Sequence, residues 1–150
     1  MVKLLRILAT IIAIILFIYA LLRVIGAVPL FGHVAGWWTL EGEIGAQMVE
    51  GVDKVRAFLA DSPGVVTLSL PAYFATSALM GVALLLGSIA WLIKRRVAGL
   101  WGVGAYVLIW AAMFANYGVG EANSKTLSLA ASAIAWVVLL LAWRAEQRGH

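Results

Sequence analysis

The side chains able to do chemistry are few, and they sit at the edges of apolar stretches. Arg23 lies 17 residues after Arg6 within one apolar run, about 25 Å along a helix. That is near the far edge of a hydrocarbon core about 30 Å thick. An arginine at that depth either snorkels its charge to the interface or pairs with a carboxylate. Glu121 is the first candidate partner, and Glu41 or Glu43 the next. Glu41 and Glu43 themselves are two apart, so on a helix they point away from each other and form no acid–base pair. His33 stands alone as an interfacial histidine, and His150 is the only other one. Tyr117-Gly118-Val119-Gly120 has a potassium filter's composition without its order or its threonine, and reads as a turn. No P-loop, nucleophile elbow or His-Glu-x-x-His zinc motif occurs. With no cysteine, thiolate metal sites, Fe–S clusters and disulfides are excluded. The expectation is no catalytic residue, no metal site and no cofactor, with the residues of any other ligand site undefined.

These residues must be positioned by membrane helices. Apolar residues make up 64% of the 150 and charged residues 12%, against roughly 45–50% and 25% in soluble domains. So few charges could not cover a water-soluble surface. Four runs approach the length of about 20 residues that a span needs. They are placed at about 3–27, with Pro29 as the stop, then about 68–93, 98–117 and 126–143. The first is read as retained, since it exceeds a signal-peptide core and no small-residue cleavage site follows. The chain is predicted to be one all-α transmembrane domain, 1–150, a four-helix bundle.

Lys and Arg fix the predicted orientation. Lys3, Arg6, Lys94, Arg95, Arg96, Arg144 and Arg148 fall on one side, against Arg23, Lys54, Arg56 and Lys125 on the other. Both termini are therefore expected to be cytoplasmic in a cell inner membrane, joined to a cytoplasmic hairpin at Lys94-Arg95-Arg96. The net charge of +4 reads as this topology signal, with no nucleic-acid partner implied. The segment 31–66 is then extracytoplasmic. Within it Ile44, Met48, Val52, Val55 and Leu59 recur at helical spacing, predicting an amphipathic helix over 40–60 capped by Thr39 and stopped by Pro63-Gly64. Trp37, Trp38, Trp91, Trp101 and Trp143 are read as interfacial anchors.

Within the spans no Asp, Glu, Lys or His lies at mid-depth, which argues against proton or sodium coupling by a single chain. Thr10, Thr76, Ser88, Ser132 and the other span hydroxyls are expected to bond their own helices. Ser77/Gly81, Ala83/Gly87, Ser128/Ser132 and Ala131/Ala135 are spaced for close helix contact, in this chain or with another.

Residues 78–110 carry Gly81, the run Leu84-Leu85-Leu86-Gly87, a basic turn and Ala98 opening the next span. In these features the stretch resembles the central hairpin of the DoxX-like family of small four-helix membrane proteins. The resemblance implies an accessory membrane subunit linked to redox or quinone chemistry, and no functional residue is carried over. The function expected from the residues is a non-enzymatic accessory or structural subunit whose partners are the lipid bilayer and a membrane protein or further copies of itself. An oligomeric channel lined by Ser, Thr and Asn116 is the alternative, beside the DoxX-like one.

Overall fold

The computed structural model describes residues 2–118 and 123–148. It contains five helices, α1 (Val2–Val34), α2 (Gly42–Asp61), α3 (Leu70–Leu92), α4 (Arg96–Tyr117) and α5 (Asn123–Arg148). No strand occurs among the described residues. Four of the helices, all but α2, are long and apolar enough to cross a membrane. They pack in a ring, α1 on α3, α3 on α4, α4 on α5 and α5 back on α1. The start of α1 meets the end of α5, so the chain runs up, down, up and down, with its ends together. We call this the terminal end of the bundle, and the opposite one the distal end.

Size, more than hydrophobicity, decides which face turns inward. On α1 the buried residues include Ala9, Ala13, Leu16, Ala20 and Ala27, while Ile7, Ile11, Ile15, Leu22 and Ile25 are exposed. Lipid is as apolar as a core, so the close approach of small residues replaces hydrophobic burial as the organising term. Gly87 of α3 and Gly102 of α4 make the tightest crossing. A Cβ at Gly87 would lie 2.6 Å from the Val103 amide nitrogen. The stripe containing Ala83 and Gly87 thus finds its partner within this chain. Beside it Leu84, Val103, Tyr106 and Leu139 fill the centre of the bundle.

Three sequence expectations need correction. Pro29 lies inside α1, which continues to Val34. Proline removes one amide donor, but in a membrane helix neighbouring groups re-satisfy the backbone. Past α1 the chain folds back, and Trp38 donates Nε1–H to the carbonyl of Pro29 itself at 3.0 Å, not to the Ile25 carbonyl that the missing amide leaves open. The Trp38 ring occupies the space a side chain at Gly32 would need. That fold-back also displaces the start of α2. Glu41, not Thr39, is the N-cap, without a side-chain capping bond, and the Leu40 amide donates to His33 Nδ1 at 3.4 Å. Third, Trp91 is 1% exposed and belongs to the core, whereas Trp37, Trp38 and Trp101 are exposed and Trp143 is partly buried.

The hairpin between α3 and α4 closes without glycine. The Arg95 amide donates to the Ala90 carbonyl at 2.8 Å and the Lys94 amide to Trp91 at 3.0 Å. This is a Schellman turn, and its left-handed position is filled by Lys94 at φ 65°.

Candidate functional site

At the distal end the ring of helices opens into a chamber of about 620 Å³. Arg23 of α1 enters it from the alanine stripe, one turn beyond Ala20. Gly81 of α3 lies against this part of α1, where a Cβ would press to 3.1 Å of Val24 Cγ2 and meet Arg23 Cγ at an ordinary 3.6 Å. The guanidinium then reaches across the diagonal of the bundle to α4. Its carbon stands 4.9 Å from the Trp110 ring centre and 5.8 Å from that of Tyr106. Both distances suit cation–π attraction, which strengthens where water is excluded. Arg23 therefore turns into the bundle instead of snorkelling outward.

Its hydrogen bonding is incomplete. Nη1 donates to Tyr19 Oη at 3.1 Å, and Nη2 lies 3.9 Å from the Met80 sulfur, a weak acceptor. Nε is buried and has no acceptor among the described residues. No ion pair joins Arg23 to any described carboxylate. Glu41 and Glu43 are exposed and form no ion pair among the described residues, and Glu121 lies outside those residues.

The rest of the chamber mixes aromatic walls with a polar rim. Tyr73, Trp110, Phe114 and Tyr117 supply rings, Met80 and Met113 supply thioethers, and Ser77 adds a hydroxyl on α3. The end of α2 covers one side with Phe58, Asp61 and Ser62, while Lys125 enters from α5. Phe58 packs on Tyr117 with ring centres 5.3 Å apart and carries Lys125 Nζ 5.5 Å from its own ring. Asn116 fixes the chain leaving α2. Its amide donates to the Val66 carbonyl at 3.0 Å and accepts from the Val66 amide at 2.7 Å. With these bonds made, Asn116 is engaged in joining two segments.

The span hydroxyls bond locally. Thr10, Thr76, Ser88 and Ser132 each donate to a carbonyl three or four residues back, and Ser69 caps α3 through the Ala72 amide. Ser128, Ser132, Ala131 and Ala135 line a second, lipid-facing groove of about 260 Å³ between α5 and α1, opposite Ile12, Leu16 and Tyr19. Among the described residues no three His, Asp or Glu side chains converge as a metal site.

The terminal end holds a constellation that the sequence reading missed. Arg96 of α4 presents Nε and Nη2 to the two Glu146 oxygens of α5 at 3.3 and 3.4 Å. Arg6 of α1 approaches the same carboxylate at 3.1 Å. Arg96 also donates to the Trp91 carbonyl at 2.7 Å and lies 4.6 Å from the Trp91 ring centre. Glu146 is the sole acidic residue on the strongly basic side of the chain, and that isolation was the available signal. Comparison with protein families, curated proteins and solved structures finds no match.

Proposed function

We propose that this multi-pass membrane protein is a non-enzymatic accessory or structural subunit of a larger membrane assembly or homo-oligomer. The observation that carries the reading is the groove between α1 and α5. Two small-residue pairs, Ser128/Ser132 and Ala131/Ala135, line it without a helix packed into it from the described chain. Small residues let a further backbone approach closely, and in lipid that close packing is a main source of association. A helix of another subunit laid along this groove would complete it.

The orientation proposed with this role follows the Lys/Arg bias. The terminal end faces the cytoplasm of a cell inner membrane, and α2 lies on the outer side. Cysteines placed at Asp53 and Arg95 then label from opposite sides of the membrane, and labelling from one side overturns that topology. For the subunit role, native mass measurement after gentle detergent extraction reads a dimer or a larger complex. The chain has no cysteine, so Ala131→Cys gives a clean cross-linking site. It should cross-link to a partner, unlike Leu108→Cys on the exposed face of α4. A strictly monomeric species with no cross-link at Ala131 sinks the reading.

A further inference from the structure

We propose that the distal chamber binds an oxyanion on an apolar stem, an alkyl carboxylate or alkyl phosphate, with Arg23 as its anchor. This does not depend on the subunit reading, since the chamber and the α1–α5 groove are separate. Three features of the chamber converge on that chemistry.

The first is the unmet edge of the guanidinium. Nε and Nη2 lie side by side on one edge of the plane, and two parallel N–H bonds from that edge suit a planar carboxylate or a phosphate. Arg96 uses the same edge on Glu146 at the other end of this molecule. In Arg23 that edge meets only the Met80 thioether among the described residues. A buried charged donor without an acceptor is strongly unfavourable. An incoming oxyanion supplies what the edge lacks. Met80 is the movable cover, since methionine's unbranched side chain readily changes rotamer, and it also lines the chamber.

The second is size and lining. A volume of about 620 Å³ falls within the roughly 300–1,000 Å³ of small-molecule sites. The aromatic and thioether walls accept an apolar body, while an anionic head meets the cations and the Trp110 Nε1–H and Tyr117 Oη–H donors, both buried and without a partner among the described residues. A free inorganic ion would leave those apolar walls uncovered, which is what the stem adds. The third is charge. Lys125 stands at the rim with Arg23 inside, against the single described carboxylate of Asp61. A negative head is thus favoured over a positive one.

The test uses the purified full chain in a nonionic maltoside detergent, titrated calorimetrically. The probes are dodecanoate, dodecyl phosphate, dodecanol and inorganic phosphate. Dodecanoate or dodecyl phosphate should bind one per chain, at least tenfold more tightly than dodecanol or inorganic phosphate. The tighter of the two identifies the head group. Arg23→Gln should weaken that binding at least tenfold, and Arg6→Gln at the terminal end should leave it unchanged. If Arg23→Gln does not fold, Ser77→Leu fills the chamber while keeping the arginine and should weaken binding in the same way. Equal binding of dodecanol overturns the proposal, as does equal binding of inorganic phosphate or insensitivity to both variants. So does binding that appears only in Glu121→Gln, because the chain's own carboxylate would then occupy the edge.

Discussion

Arg96 and Arg23 are the same residue type at opposite ends of one bundle, and they differ in what their guanidinium groups meet. Each guanidinium lies over an aromatic ring, Trp91 for Arg96 and Trp110 for Arg23. Arg96 spends its forked edge on Glu146 and so ties α4 to α5, with Arg6 of α1 sharing the carboxylate. Arg23 has rings, a phenol and a thioether around it, an open chamber beside it, and no ion pair with a described carboxylate. A paired buried charge holds helices together. An unpaired one beside a cavity is poised to take a ligand. The contrast assigns stability to the terminal end and recognition to the distal end.

The sharpest way to break that division is to remove Glu146. Arg96 and Glu146 side chains are only 18% and 19% exposed, so Glu146→Gln leaves a largely buried cation unpaired. A loss of about 3 kcal/mol is expected in unfolding from detergent, recovered in large part by adding Arg96→Met. Arg6 is 55% exposed, and Arg6→Gln should lose less than about 1 kcal/mol.

Gly87→Ala tests whether the two ends are mechanically linked through the α3–α4 crossing. The added methyl meets backbone, and a loss of about 2 kcal/mol in the same assay is expected from overpacking. The substitution should also weaken dodecanoate binding, because Met80 and Trp110 lie on the two helices it forces apart.

Lys94→Gly should raise stability by about 1 kcal/mol, since only glycine adopts the left-handed turn at φ 65° freely. Chamber binding should not change with it. A change there would tie the hairpin to the distal site and erase the separation of roles.

The smallest effect is predicted for Arg23→Met, within about 0.5 kcal/mol of the parent, because the lost cation–π and Tyr19 contacts offset the relief of the buried Nε donor. A double-mutant cycle of Arg23→Gln with Glu121→Gln sharpens this. Additive changes leave the edge free for a ligand, and a coupling of about 1 kcal/mol or more assigns it to Glu121.

Composition and run length by themselves determined the all-α class and the four apolar helices, because only helices of about 20 residues satisfy their backbone within lipid. The ends of α3 and α4 fall within two residues of their expected places for the same reason. The inward direction of Arg23 was also legible. With Ala9, Ala13, Leu16, Ala20 and Ala27 it forms one stripe spaced by fours and threes, so it shares the face they bury, while the spacing does not say which helices meet that face. Hydrophobic periodicity could not reveal that face, since lipid and core are equally apolar and only residue size distinguishes them. What the tertiary structure alone decided was pairing. Arg6, Arg96 and Glu146 are far apart in sequence, and Trp91 turns inward because Gly99 of α4 lets that helix close against its backbone. The chamber, too, exists only where side chains of α1, α3, α4 and α5 meet under the end of α2. No spacing within any one helix encodes that chamber, because it arises from how side chains of several helices fill, or fail to fill, the space they share.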